Sequence, residues 1–78
     1  MKKKELLKST VDTFLIKKNG RNILKGIEKR NLIKDGLIDS LDIFSLASNI
    51  EKKLKIKINI SDNKTFKKFQ KYKSLINL

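Results

Sequence analysis

The sequence predicts an all-α fold, a small bundle of three main helices and a short helical turn, with a long loop after the first helix. Three segments repeat apolar residues every three or four positions, which is the spacing of one helix face. The clearest of these segments opens with acidic residues and closes with lysines, as the helix dipole favours. With 78 residues and no cysteine, the chain (residues 1–78) is expected to be a single domain that apolar packing stabilises.

The first helix is predicted over residues 3–18. Its apolar face falls at positions i, i+4, i+7 and i+8, which are Leu7, Val11, Phe14 and Leu15. Asn19 and Gly20 follow this face. They are expected to end the helix, because glycine readily adopts the positive φ that closes one.

The next stretch, residues 21–39, has apolar pairs and two glycines but no sustained period. It is therefore predicted to be a long loop that packs its apolar residues on the core, with a helical turn near residues 24–29. A loop of this length in so small a domain usually has a functional reason.

The second helix is predicted over residues 40–54. Asp39 or Ser40 is expected to cap it, and Asp42 places a second negative charge in the first turn. Lysines occupy the last turn, where the dipole favours cations. The apolar stripe is predicted to comprise Leu41, Phe44, Leu46, Ala47, Ile50 and Leu54.

The remainder of the chain begins with residues 55–60, which alternate polar and apolar side chains as a strand does but have no strand to pair with. They are predicted to form an extended connector whose isoleucines fill gaps between the helices. At most one helical turn, capped by Ser61, is expected next. A last helix is predicted over residues 64–77 from the spacing of Phe66, Phe69, Tyr72, Leu75 and Ile76.

The composition excludes several kinds of site. Without histidine or cysteine, the chain has neither a histidine-based triad nor the usual zinc ligands, so no catalytic or metal-binding residue is predicted and the protein is not expected to be an enzyme. Polar residues interrupt the N-terminal apolar run that a secretory signal requires, and no stretch is long enough to span a bilayer. The protein is expected to be soluble, unprocessed and cytoplasmic.

A formal net charge of +12 raises the alternative of a basic helical module that binds nucleic acid or an anionic membrane surface. The first helix and residues 67–73 (KKFQKYK) would supply the lysines. However, only two of the 20 basic residues are arginines, the side chain that reads base edges and clamps phosphates. An AT-rich genome also favours lysine codons without any ligand, so no stable nucleic-acid complex is expected.

Residues 36–58 read GLIDSLDIFSLASNIEKKLKIKI. They resemble the acyl carrier protein family, including relatives that carry aminoacyl groups, such as D-alanyl carrier proteins. In that family an Asp-Ser-Leu motif opens the second helix, and it is matched here by Asp39, Ser40 and Leu41. The resemblance implies that Ser40 receives a 4′-phosphopantetheine arm from coenzyme A. The arm's thiol would carry an acyl or aminoacyl group as a thioester between enzymes of a fatty-acid, polyketide or specialised biosynthetic pathway.

The resemblance also implies roles for residues around the serine. Recognition by the transferase and by partner enzymes is expected to involve Asp35, Asp39, Leu41, Asp42, Phe44 and Ser48. The residues expected to line the acyl cavity are Leu46, Ile50, Ile58 and Phe66. Helix capping by the acids and ordinary core packing by the apolar residues are the structural alternatives.

The implied partners are a phosphopantetheinyl transferase (a holo-carrier synthase) that uses magnesium, and the enzymes that load and transfer the cargo, acting on a monomeric carrier. Lys52 and Lys53 stand where the family usually has acids. This departure favours a specialised carrier with its own cognate enzymes over a general one. A carrier-like protein that folds but is never loaded is a further possibility.

Overall fold

The computed structural model describes residues 2–78, which form four α-helices, two of them long. Two 3₁₀ turns, Arg21–Leu24 and Ile27–Lys29, lie between the long helices. Residues 2–78 contain no β-strand. The all-α prediction is therefore confirmed. The helices are α1 (Lys3–Asn19), α2 (Ser40–Leu54), α3 (Asn63–Lys68) and α4 (Tyr72–Leu75).

The core lies between α1 and α2, which pack along their apolar faces. α1 buries Leu7, Val11 and Leu15, as the sequence predicts. On α2 two residues of the predicted apolar stripe, Leu41 and Phe44, are not part of the core and are exposed, as their predicted recognition role requires. In the first turn of α2 the buried residue is Ile43, which lies one helical turn before the buried residues Leu46 and Ala47. The buried face of α2 comprises Ile43, Leu46, Ala47, Ile50 and Leu54.

The end of α1 is fixed at Gly20, which has a φ of 93°. Its backbone N–H donates to the carbonyl oxygen of Ile16 at 2.8 Å. The Asn19 side-chain amide donates to the carbonyl oxygen of Leu37 at 2.9 Å. The last turn of α1 is thereby attached to the segment that leads into α2.

The long loop between α1 and α2 is folded onto the core, as predicted. Its buried residues are spread along its whole length. Two backbone N–H groups, those of Leu37 and Ile38, donate to the carbonyl oxygen of Leu32 at 3.0 Å each. The chain therefore turns tightly just before α2 begins. The buried loop residues are Ile23, Ile27, Leu32, Leu37 and Ile38.

The connector after α2 is extended and lacks a strand partner, as predicted. The Glu51 carboxylate accepts a hydrogen bond from the backbone N–H of Ile58 at 2.8 Å, which holds the connector against α2. Its three isoleucines are half-buried and pack on the core: Ile56, Ile58 and Ile60.

The prediction of one last helix over residues 64–77 is wrong, because the chain breaks there into α3 and α4. At the break the Leu32 N–H donates to the Gln70 carbonyl oxygen at 2.7 Å, and Phe69 is fully buried. A continuous helix would use that carbonyl oxygen within its own ladder. The prediction that Ser61 caps the preceding turn is also wrong, since Asp62 is the cap and accepts from the Lys64 N–H at 3.1 Å.

No helix within residues 2–78 combines the length and the apolar character needed to cross a lipid bilayer.

The buried side chain of Tyr72 ties α4 to α1. Its hydroxyl donates to Oδ1 of Asp12 at 2.6 Å, while the exposed Lys8 donates to Oδ2 of the same carboxylate at 2.7 Å. Burial and the hydrogen bond to Asp12 raise the pKa of the Tyr72 phenol above its ordinary value. The neutral, donating phenol is therefore the form that the fold stabilises.

Replacing Tyr72 by Phe is expected to lower the free energy of unfolding by about 1–2 kcal/mol, because the part-buried Asp12 carboxylate loses the less exposed of its two donors. Urea unfolding monitored by circular dichroism measures the change. The control is Lys8→Met, which removes the exposed ion pair and the ammonium 6.0 Å above the Tyr72 ring centre. Both contacts are exposed and weak, so the change in stability should stay below about 1 kcal/mol. An equal loss in both variants would contradict the role given to the phenol.

Candidate functional site

Ser40 is the first residue of α2, and its side chain is exposed to solvent. The sequence left open whether Asp39 or Ser40 caps this helix, and the structure assigns the cap to Asp39. Within residues 2–78 no protein group forms a hydrogen bond with the Ser40 hydroxyl. The serine is thus placed at a helix start without taking part in its capping.

The cap is a reciprocal pair of hydrogen bonds between Asp39 and Asp42. Oδ1 of Asp39 accepts from the Asp42 N–H at 2.9 Å, and Oδ2 of Asp42 accepts from the Asp39 N–H at 2.9 Å. This is a capping box with aspartate at the position where glutamate is commoner. Two of the backbone donors at the helix start are thereby satisfied by side chains that flank Ser40.

Lys18, near the end of α1, forms a salt bridge with Oδ2 of Asp42. Burial by itself would raise the pKa of Asp42, but the hydrogen bonds from Lys18 and from the Asp39 backbone outweigh it and hold the pKa below its ordinary value. The Asp42 carboxylate therefore joins the start of α2 to the end of α1.

Asp35, the third acid of the predicted recognition set, lies in the loop before α2. Its Oδ2 accepts from the Asn31 N–H at 3.1 Å and from Nε of Arg30 at 3.3 Å. Together with the cap, this contact means that Asp35, Asp39 and Asp42 all have partners inside the protein. We call these three residues the acidic island.

Leu41, Phe44 and Ser48, the other predicted recognition residues, lie together on the exposed side of α2. Leu41 retains 77% and Phe44 56% of its accessible surface. They are the large apolar side chains that the described part of the chain exposes. The structure thus places an apolar surface directly beside Ser40.

The four predicted cavity residues are not brought together around an open space. Leu46 and Ile50 are fully buried in the core, whereas Ile58 and Phe66 are half-buried at its edge. Four surface clefts of about 300–350 Å³ lie elsewhere, and none of them is lined by any of these residues. In this conformation the interior around these residues is packed.

Two features of the site were not predicted from the sequence. The reciprocal cap had a signal, because aspartates three residues apart before an apolar run match the capping-box spacing. The salt bridge from Lys18 to Asp42 had no sequence signal, since the path of the intervening loop determines which lysine reaches the start of α2.

Comparison of the chain with protein-family models, with curated proteins and with solved structures finds no match in any of the three.

Replacing Asp39 by Ala is expected to cost about 1 kcal/mol of folding stability, because the Asp42 N–H loses its acceptor. Asp39→Asn keeps a side-chain oxygen at that position and is the matched control, with a loss of a few tenths of a kcal/mol. Urea midpoints of the two variants give the comparison. A similar midpoint for both would show that the cap contributes little.

Acid is expected to weaken the contact between Asp42 and Lys18. The pKa of Asp42 is lower in the folded protein than its ordinary value of 3.8. The stability that the carboxylate contributes is therefore fully present above about pH 5, and it is lost as the pH falls through 3.8 and below. Unfolding free energies of wild type and Asp42→Asn should therefore converge as the pH falls from about 5 to well below 3.8. A constant difference across this range would contradict the assignment.

Proposed function

We propose that this protein is an acyl carrier protein in which Ser40 bears 4′-phosphopantetheine and presents an acyl or aminoacyl group to a series of enzymes. The observation that carries the proposal is the Ser40 hydroxyl, which is exposed at the first position of a well-anchored helix and is left free by a cap made from its neighbours. A serine whose main role was capping would instead direct its oxygen at the backbone of its own helix.

The start of α2 suits an attached phosphate. The first backbone N–H groups of a helix have no intrahelical acceptor, and the helix dipole is positive there. Asp39 and Asp42 satisfy each other's N–H groups. The N–H groups of Ser40 and Leu41 have no intrahelical acceptor, and they lie next to the position that a phosphate attached to Ser40 would take. When bound, the arm supplies the thiol that this cysteine-free chain lacks.

Attachment forms a bond between the Ser40 oxygen and the phosphorus that carries the pantetheine arm, while the pyrophosphate bond of coenzyme A breaks and its nucleotide half leaves as a phosphate. The Ser40 hydroxyl loses its proton in this step, and a base must accept that proton. The nearby carboxylates of Asp39 and Asp42 already accept hydrogen bonds in the cap. The chain has no histidine. The base is therefore expected to come from the transferase, which fits a carrier that is a substrate rather than an enzyme.

The helix start is held in place from two sides. Lys18 binds Asp42 from the end of α1, and the Asn19 amide binds the Leu37 carbonyl oxygen just before α2. Ile38, two residues before Ser40, is buried. An arm attached here would pivot on a fixed point, which limits the volume that its cargo must search.

The same structure gives less support to the nucleic-acid alternative. The aromatic residues of the basic stretch 67–73 are Phe69 and Tyr72, and both are buried in the core. They are therefore not available to stack on bases, which is a principal contact in single-strand binding.

The proposal is tested by incubating the protein with coenzyme A, magnesium and a permissive phosphopantetheinyl transferase, followed by intact-mass spectrometry. Wild type is expected to gain one phosphopantetheine, and Ser40→Ala none. The matched control is Ser9→Ala, which removes an exposed hydroxyl of α1 and should be loaded like wild type.

Because Ser40 does not cap the helix, Ser40→Ala should keep the circular dichroism spectrum and the stability of wild type within about 0.5 kcal/mol. Failure of wild type to accept the arm from several competent transferases would refute the carrier function, as would loading of Ser40→Ala. Tight, strongly salt-dependent binding to nucleic acid without loading would favour the alternative.

A further inference from the structure

We infer that the exposed face of α2 docks a protein partner that offers an apolar pocket surrounded by carboxylates. This α2 face consists of Leu41, Phe44, Ser45, Ser48 and Lys52, all of them exposed. The inference rests on the proposed function in one respect, namely that the partner is expected to be an enzyme acting on the group at Ser40.

The residues of the α2 face lie on one side of the helix. Positions 41, 45, 48 and 52 are spaced as i, i+4, i+7 and i+11, and position 44 is one turn from both 41 and 48. The face is apolar at the Ser40 end, carries hydroxyls in the middle and ends in a lysine. Leu41 and Phe44 together form an anchor of the kind that partners bury in pockets.

The α2 face carries no carboxylate, because both acids of the helix are used inside the protein. Asp42 takes part in the cap and binds Lys18. Glu51 accepts the Ile58 N–H and holds the connector. The acids that a basic partner would need are therefore already engaged.

The charges at the far end of this face are positive. Lys52, Lys53 and Lys55 are exposed at the far end of α2, and no ion pair of residues 2–78 includes any of them. The net charge of the chain is +12. A surface of this sign attracts acidic partners and repels basic ones.

A protein fits this surface better than a membrane does. A helix that lies in a lipid interface needs a continuous apolar face. Here the apolar part consists of two side chains, and the exposed Ser45 and Ser48 follow them along the same face. A pocket can enclose Leu41 and Phe44 and leave the hydroxyls at its polar rim.

The surface itself is tested by NMR on the full-length, unmodified protein. The probes are two short helical peptides with the same leucine and phenylalanine residues, one flanked by glutamates and the other by lysines. The glutamate peptide is expected to shift the backbone amides of Leu41, Phe44, Ser48 and Lys52, while the lysine peptide leaves them unchanged.

Variants show whether binding depends on the α2 face. Phe44→Ser is expected to weaken binding of the glutamate peptide about tenfold. Lys29→Glu, a charge reversal in a cleft formed without α2, should change it less than about threefold. Shifts spread over the lysine-bearing surface would overturn the inference. The inference would also be overturned if the α2 face bound phosphatidylglycerol vesicles or oligothymidylate more tightly than it binds the glutamate peptide.

A loading assay separates this inference from the carrier function. One permissive transferase is prepared in two versions. The first keeps its natural docking surface, and in the second the basic residues of that surface are replaced by glutamate. The acidic version is expected to load wild type with a kcat/KM about tenfold higher, and Lys52→Glu should reduce that advantage. A preference for the basic version would overturn the inference while leaving the carrier function intact. Loading by neither version would refute the carrier function, and the peptide titration would still decide the docking surface.

Discussion

The structure depends on the contact at the start of α2, where Asp39 and Asp42 cap each other and Lys18 reaches across from α1. A helix of 15 residues is marginal by itself in water. Here side chains accept the N–H groups of Asp39 and Asp42, and Lys18 joins the first turn to α1. The same arrangement leaves the Ser40 hydroxyl without a structural task. The same three side chains, those of Lys18, Asp39 and Asp42, therefore stabilise the start of α2 and leave the Ser40 hydroxyl exposed.

Carboxylates are scarce in this protein, eight against 20 basic residues, and most of those described above have internal partners. Asp12 joins α1 to α4, Asp35 closes the loop, and Glu51 holds the connector. Each of these contacts also relieves some of the repulsion among the lysines. The concentration of acids near Ser40 thus has a folding role that is independent of any enzyme. The exposed surface of α2 is left with an apolar pair, Leu41 and Phe44, near its start and with lysines at its end.

The sequence predicted the parts of the fold that depend on neighbouring residues. The two long helices begin and end within one residue of their predicted bounds, since periodicity and caps are local signals. The last helix was predicted as one because its apolar spacing continues through the break at Phe69. The hydrogen bond that causes the break comes from Leu32, which no local pattern reveals. The position of Ser40 at the start of α2 was also predicted, whereas the burial of Leu46 and Ile50 in the core depends on packing between distant segments.

The pairing of Leu32 with Gln70 joins the two halves of the chain. Contacts between distant segments form late, because the intervening chain must first lose its freedom. The loop that leads into Ser40 is therefore completed only after residue 70 has left the ribosome. Until then the start of α2 lacks part of its support, so Ser40 reaches its final position only once residue 70 has been synthesised.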